Sequence, residues 1–301
     1  MVAQRATEPT RAVATLGQRV ARWGGNWSRF VRTQPLGTLG LVIIAITIVV
    51  GIFSPLVQRF DPERAYPAER LQGPGTAHWF GTDHLGRDIY SRIVAGTRVS
   101  LQVAFFSIVI GTTVGYLVGI FSGYVGGRVD DFLQRFVDAL LAFPPILLAL
   151  ILVSVLGGGL DKVIFAISFT LAPRASRISR GVVLSVKENV YIDAARVIGA
   201  SNLRIMLRHI FPNSMAPYLI LASIALGGAI LTEASLSYLG LGVPPPHPSW
   251  GRELSAGTAN YTLVNPWMAV FPGTAIMLMV LAFNLFGDAL RDVWDPRLRG
   301  R

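Results

Sequence analysis

The sequence predicts an all-α, polytopic membrane protein with six transmembrane helices, and three observations carry that prediction. Of its 301 residues 52% are hydrophobic and 15% charged, at a mean hydropathy of +0.51, which is not the balance of a water-soluble globule. The apolar residues gather into uncharged runs at 36–57, 99–127, 139–160, 210–232 and 254–287. A run of 22 residues makes a helix about 33 Å long, enough to cross a hydrocarbon core of roughly 30 Å. The net charge of +10 is nearly all arginine and is unevenly spread. Nucleic acid and an anionic membrane surface both attract such a chain; the apolar runs select membrane lipid, and no nucleic-acid partner is expected. The absence of cysteine removes disulfides, thiolate metal sites and a cysteine nucleophile.

Residues 1–35 form a basic leader. Val20, Trp23, Trp27, Phe30 and Val31 recur at helical spacing among Arg19, Arg22, Arg29 and Arg32, as in an interfacial helix. Gly24 and Gly25 weaken that pattern, and a disordered basic tail fits the same composition. The leader is too long for a signal peptide's charged region and no small-residue cleavage pattern follows, so 36–57 reads as an uncleaved first transmembrane helix. Residues 58–98 form an extracytoplasmic loop, too short and polar for a domain. It contains HWFGTDHLGRD at 78–88. His78, Asp83, His84 and Asp88 are metal-ligating types, but the stretch reads as turns leading into a short helix through Ile89, Ile93 and Val94, and no metal is expected.

Residues 99–288 supply the other five helices. In the second span Gly111, Gly115, Gly119 and Gly123 make three successive small-xxx-small steps, a ridge for close helix packing. In the third, Pro144 and Pro145 follow Phe143 and predict a break. Such breaks are tolerated where protein or a watery cavity covers the freed carbonyls, which points to a pathway or gate. Asp138 near the start of that span and Glu233 within the fifth are acids at membrane depth and belong with the same candidates. For Glu233 the alternatives are direct cargo contact and a packing role, hydrogen-bonded to Ser235, Ser237 or a neighbouring subunit. A weaker span, fourth in order, starts with VIFAISFTLAP at 163–173, meets Arg174, Arg177 and Arg180, and continues as GVVLSV; arginines at one end can snorkel to headgroups.

Six spans place both termini on one side. With the amino terminus cytoplasmic, 19 of the 27 basic residues fall in cytoplasmic segments, including the tail at 289–301, as the positive-inside rule requires. Enzyme signatures are missing: no serine lies between glycines two before and two after it, no H-E-x-x-H occurs, and neither Lys162 nor Lys187 follows a glycine in a phosphate loop. No catalytic residue is assigned.

The most informative cytoplasmic stretch, about 185–211, contains YIDAARVIGASNLRIMLRHIFPNS at 191–214. Asp193, Ala194 and Ala195 open a short helix stopped by Gly199, a shape suited to a protein cleft. Ser201 then caps a second helix whose Leu203, Met206, Leu207 and Ile210 form an apolar stripe, with Arg204 and Arg208 off it and Pro212 closing it.

Asp193, Ala194, Ala195 and Gly199, followed by Ile210, Phe211 and Pro212, resemble the EAA loop of permease subunits of bacterial ABC importers. Asp stands for the usual Glu, and Phe precedes the proline where Leu is common. FGTDHLGRD at 80–88, GGRVDDFLQRFVDALLAFP at 126–144, EASLSYLGLGVPPPHPSWG at 233–251 and GDALRDVWDPRLR at 287–299 are similar to the oligopeptide/dipeptide permease C-subunit family in particular, from about residue 30 onward. The resemblance implies a type I ABC importer permease fold in the bacterial inner membrane, forming half of a translocation pathway. It implies as partners a homologous B-type permease subunit in a heterodimer, two ATPase subunits and an extracytoplasmic substrate-binding protein. No cofactor is implied in this chain, since ATP and Mg would sit on the ATPase subunits. Asp193, Ala194, Ala195 and Gly199 would couple to an ATPase cleft, loops near 62–90 and 243–253 would meet the loaded binding protein, and Glu233 would face the partner permease. The implied cargo is a dipeptide or oligopeptide, with nickel, glutathione or oligosaccharide as alternatives in the same family. A membrane-embedded enzyme using Asp138 or Glu233 and a passive channel are the readings of another class.

Overall fold

The computed structural model describes residues 30–294; the interfacial pattern of the leader and the end of the tail lie almost wholly outside the described residues. The regular structure of the described residues is helical, with one isolated bridge between Thr82 and Asp88 and no strand. Helix α1 is Pro35–Ile52, its proline in the first turn, where a missing N–H costs nothing. After the loop, α2 is Ile89–Val125, capped by the Asp88 carboxylate, which accepts from Ser91 N at 2.8 Å. Then come α3 (Gly127–Leu141), α4 (Pro145–Leu156), α5 (Leu160–Lys187) and α6 (Val190–Val197). A helical lead from Asn202 to Ile210 runs into α7 (Phe211–Tyr238), followed by α8 (Trp250–Asn260) and α9 (Trp267–Trp294).

By length and composition α1, α2, the 37-residue helix ending in α7, and α9 can each cross a membrane, and α3 with α4 makes a fifth, bent candidate. Helix α5, at 28 residues about 42 Å long, has the reach of a sixth span, but its arginines keep it from counting on apolarity alone.

Three expected boundaries move. The run 139–160 is not one helix: α3 and α4 meet at 89° around Pro144, which has no N–H to give to the preceding turn. The 12 residues of α4 reach only about 18 Å, and Asp138 sits on amphipathic α3 rather than at the start of a straight span. The run 254–287 is cut at 261–266, so only α9 has spanning length, while α8 folds back with Gly257 against the Met268 backbone. Helix α2 starts ten residues before its uncharged run, and the short helix expected at Ile89 is its first turns. Charge at Arg92 hid that continuity; in the fold Glu253 neutralises it.

The core follows from close backbone approach. Helices α2 and α5 run parallel, with Gly111 against Ser168, Gly115 against Ala172, Gly119 against Ser176 and Ser179, and Gly123 against Arg180 and Val183. A Cβ on Gly111 would lie 2.5 Å from the Ser168 carbonyl oxygen, and one on Gly115 would overlap the Ala172 carbonyl. Small residues thus give the dispersion contact that replaces the hydrophobic drive in lipid. Gly37 and Gly40 seat α1 on Ala289 and Ala282 of α9 in the same way.

Candidate functional site: the α6 face and the adjoining groove

Helix α6 is held by one face and bare on the other. Ile192 and Ala195 are buried in a cluster with Tyr116, Ile120, Tyr124, Val183, Ile205 and Ile210. On the free face Val190, Val197 and Ile198 are 83%, 88% and 83% exposed. Asp193 is exposed and, among the described residues, pairs only with Arg196 of its own helix at 2.9 Å; Ala194 is exposed as well. The helix ends in a Schellman motif. Gly199 has φ +81°, its N–H bonds Arg196 O at 2.9 Å, and the Ala200 N–H reaches back to Ala195 O at 3.0 Å. Ser201 then accepts from Arg204 N at 3.3 Å and restarts the helix.

Of the stripe expected on that next segment, Ile210 is fully buried and Met206 packs against the same cluster, but Leu203 and Leu207 are 60% and 58% exposed and Ile205 is buried in their place. A π-type turn over Met206–Ile210 widens the period, bringing residues five apart onto one face. The same turn lets the helix pass Pro212 instead of closing there, so Asn202 to Tyr238 is one helical path.

Hydrogen bonds fasten this assembly to the long helices. Lys187 Nζ donates to Tyr124 O at 2.9 Å and Gly123 O at 3.2 Å, a cation on the carbonyl end of α2. Tyr124 Oη donates to Asn202 Oδ1 at 2.8 Å, and Asn213 Nδ2 donates to Tyr191 Oη at 3.3 Å, joining α7 to α6. On the other side of α5, Arg180 holds Asp130 of α3 through contacts of 2.6 and 2.7 Å, and Arg177 pairs with Asp138.

Beside α6 a groove of about 850 Å³ runs along α7, from Asn213 to Thr232, with Leu171, Arg174 and Ile178 of α5 forming one wall and Arg291 of α9 also lining it. A second cavity, about 620 Å³, lies between α1 and α2 and is apolar but for Arg98 and Gln102. Pro144, Pro145 and Asp138 line neither.

Glu233 is elsewhere. It is fully buried within this chain, accepting from Ser237 Oγ at 2.7 Å and from Ser100 Oγ of α2 at 2.9 Å, five residues before α7 ends. It therefore does not face another subunit, because α2 and the start of α8 close over it; Ser235, the other expected partner, bonds Leu231 O instead. At the same end three of the four metal-ligating types are committed to protein: His78 bonds Asp88 at 2.8 Å and Glu69 at 3.1 Å, and Asp83 pairs with Arg87 at 2.6 Å. Among the described residues no group of three such side chains is arranged to hold a metal ion. Sequence reading missed the buried pair Arg92–Glu253, bidentate at 2.7 and 2.6 Å and completed by the Pro62 carbonyl at 2.6 Å. The only signal was a lone acid in a short helix, 161 positions from its partner.

Comparison with known proteins agrees with this architecture. Residues 115–300 match the family described as binding-protein-dependent transport system inner membrane component. The dipeptide transport system permease protein of Alkalihalophilus pseudofirmus is 43% identical over 273 residues, 89% of this chain and 88% of its own. Glutathione transport system permease proteins of Pectobacterium atrosepticum and of an Escherichia coli strain are 41% and 43% identical, each over 92% of this chain and 92% and 91% of their own.

Proposed function

We propose, from the premise that this chain belongs to the family of binding-protein-dependent transport system inner membrane components, that it is the permease subunit of an ATP-driven importer of short peptides. It is a multi-pass inner-membrane protein of a transporter, not an enzyme, working with ATPase and binding-protein components. In the finer reading it pairs with a homologous permease, and two ATPase subunits hold the ATP and Mg. Both termini are cytoplasmic, which the skew of basic residues supports. The cargoes of the similar proteins, dipeptides and glutathione, are both short peptides, and glutathione is the second reading.

The observation that carries the mechanism is the α6 face. Three exposed aliphatic side chains on a helix fastened to α2 and α7 form a rigid knob that gains by burial in a cleft. ATP-driven closure of the ATPase pair would move that knob, and Tyr191 to Asn213 and Tyr124 to Asn202 would pass the displacement to the long helices as a rigid-body switch. The test is reconstitution with the partner permease, the ATPases and the binding protein. The wild-type complex takes up labelled dipeptide only with ATP; Val197→Asp with Ile198→Asp keeps the permease folded but loses the ATPases on co-purification. Retention of the ATPases by that variant would remove α6 from the interface.

A further inference from the structure

Three arginines stand at i, i+3 and i+6 on α5, and they are not equivalent. Arg180 is neutralised by Asp130 and Arg177 by Asp138, both acids of α3. Arg174 is exposed and has no carboxylate in ion-pair reach among the described residues, and it lines the 850 Å³ groove. Nor does any Asp or Glu line that groove; its polar groups are Thr112, Arg174, Asn213, Thr232 and Arg291. Its floor from Asn213 to Thr232 is about 28 Å long, close to the thickness of a hydrocarbon core. Asn213 spends its amide nitrogen on His209 O, at 2.6 Å, and on Tyr191, so the oxygen is the end left for a ligand N–H. The groove thus offers a membrane-length path with cations and no competing anion, whereas the α1–α2 cavity is nearly all apolar.

We propose that Arg174 receives the C-terminal carboxylate of a short peptide during its passage along this groove. A guanidinium presents two parallel N–H donors to a carboxylate, the strongest neutralisation a side chain offers a peptide terminus. Pairing of its two neighbours within the chain leaves Arg174, alone of these three arginines, available to an incoming anion. The inference rests on the peptide-importer reading and adds the residue that meets the cargo.

The test uses the complete reconstituted transporter in proteoliposomes, saturated with peptide-loaded binding protein. Arg174→Gln is expected to lower peptide uptake per ATP hydrolysed by about tenfold, the worth of one charge-assisted hydrogen bond, with the complex assembling and melting as the wild type does. Arg174→Lys, which keeps the charge, is expected to stay within about fivefold of wild type, short of full activity because the fork is lost. Uptake by the Gln variant at the wild-type rate overturns the proposal. So does a Lys variant as poor as Gln, since charge is then not what counts. Loss of uptake that tracks loss of assembly overturns it too, by making Arg174 a subunit contact. A wild-type complex that moves no peptide at all sinks the peptide reading itself, and with it the cargo named here.

Discussion

The two ends of the helix bundle solve opposite problems with polar and apolar side chains. At the end carrying residues 58–88 and α8, buried charged and polar groups find partners within the chain: Arg92 with Glu253, His78 with Asp88, Asp83 with Arg87, and the Asn265 amide nitrogen with the carbonyls of Gln72 and Thr82. At the end carrying α6, aliphatic side chains stand exposed on a helix whose anchoring face is fully packed. A surface that buries its charges is finished, while one that exposes its valines waits for another chain. Substitutions at the first end should cost the stability of this chain, and those at the second should cost its assembly.

The largest effect that tests this contrast is Arg92→Ala. Glu253, 5% exposed, would be left as an unpaired buried carboxylate and the Pro62 carbonyl would lose its donor. A broken buried pair costs about 3–5 kcal/mol, which a thermal melt of the detergent-solubilised chain would read as a large fall in Tm. Replacing both partners with apolar residues, Arg92→Met with Glu253→Leu, should restore much of it, since desolvation of two charges is then avoided. A single variant that melts like wild type would show that this end is not held by its buried charges.

Gly199→Ala is smaller and acts at the other end. Beyond its chain neighbours nothing lies within 4 Å of the position a Cβ would take there, so for alanine only the φ of +81° resists the side chain. That strain is worth about 1–2 kcal/mol and falls on the α6 stop, so coupling between ATP hydrolysis and uptake should weaken while the melt shifts little. Gly115→Ala is the contrast, because its Cβ meets the Ala172 carbonyl in the α2–α5 seam. Equal melting losses in the two variants would erase the distinction between a packed seam and a docking turn.

What the sequence revealed follows from how local each feature is. The α6 helix, its glycine stop and the Gly111–Gly123 ridge are written in adjacent residues, and their geometry needs only helical periodicity. The 89° turn between α3 and α4 was half legible: Pro144 and Pro145 give the break, but the ion pairs of Asp130 and Asp138 that fasten α3 to α5 join residues 50 and 39 positions apart. The burial of Ile205 in place of Leu203 and Leu207 was illegible, because a π-type turn changes the period that pattern reading assumes. Glu233 was misplaced for a related reason. Its depth could be counted along α7, but Ser100 and α8, which close over it, are brought there only by the fold.

The smallest effect belongs to the charged end and is set by pH. His84 stacks on Tyr261 with ring centres 5.3 Å apart and planes 9° from parallel, and its Nδ1 is buried without a hydrogen-bond partner among the described residues. Burial holds the imidazole below its usual pKa of 6.5, helped by Arg87 and Arg70 and opposed by Asp83 and Glu253. Well above 6.5 the ring is neutral whether folded or not and contributes nothing to pH dependence. As the pH falls through 6.5 the unfolded chain takes up a proton that the folded one resists, so stability declines until the pH passes below the folded-state pKa. His84→Gln should therefore remove part of the loss in protection of residues 58–88 measured by amide exchange between about pH 7.5 and 5.5, leaving the response of Val190–Val197 unchanged. His78 and His247 remain in both proteins, so the difference isolates this one ring. An identical pH response in wild type and variant would show that the stacked imidazole titrates as it does in water, and that burial at this end protects the ion pairs alone.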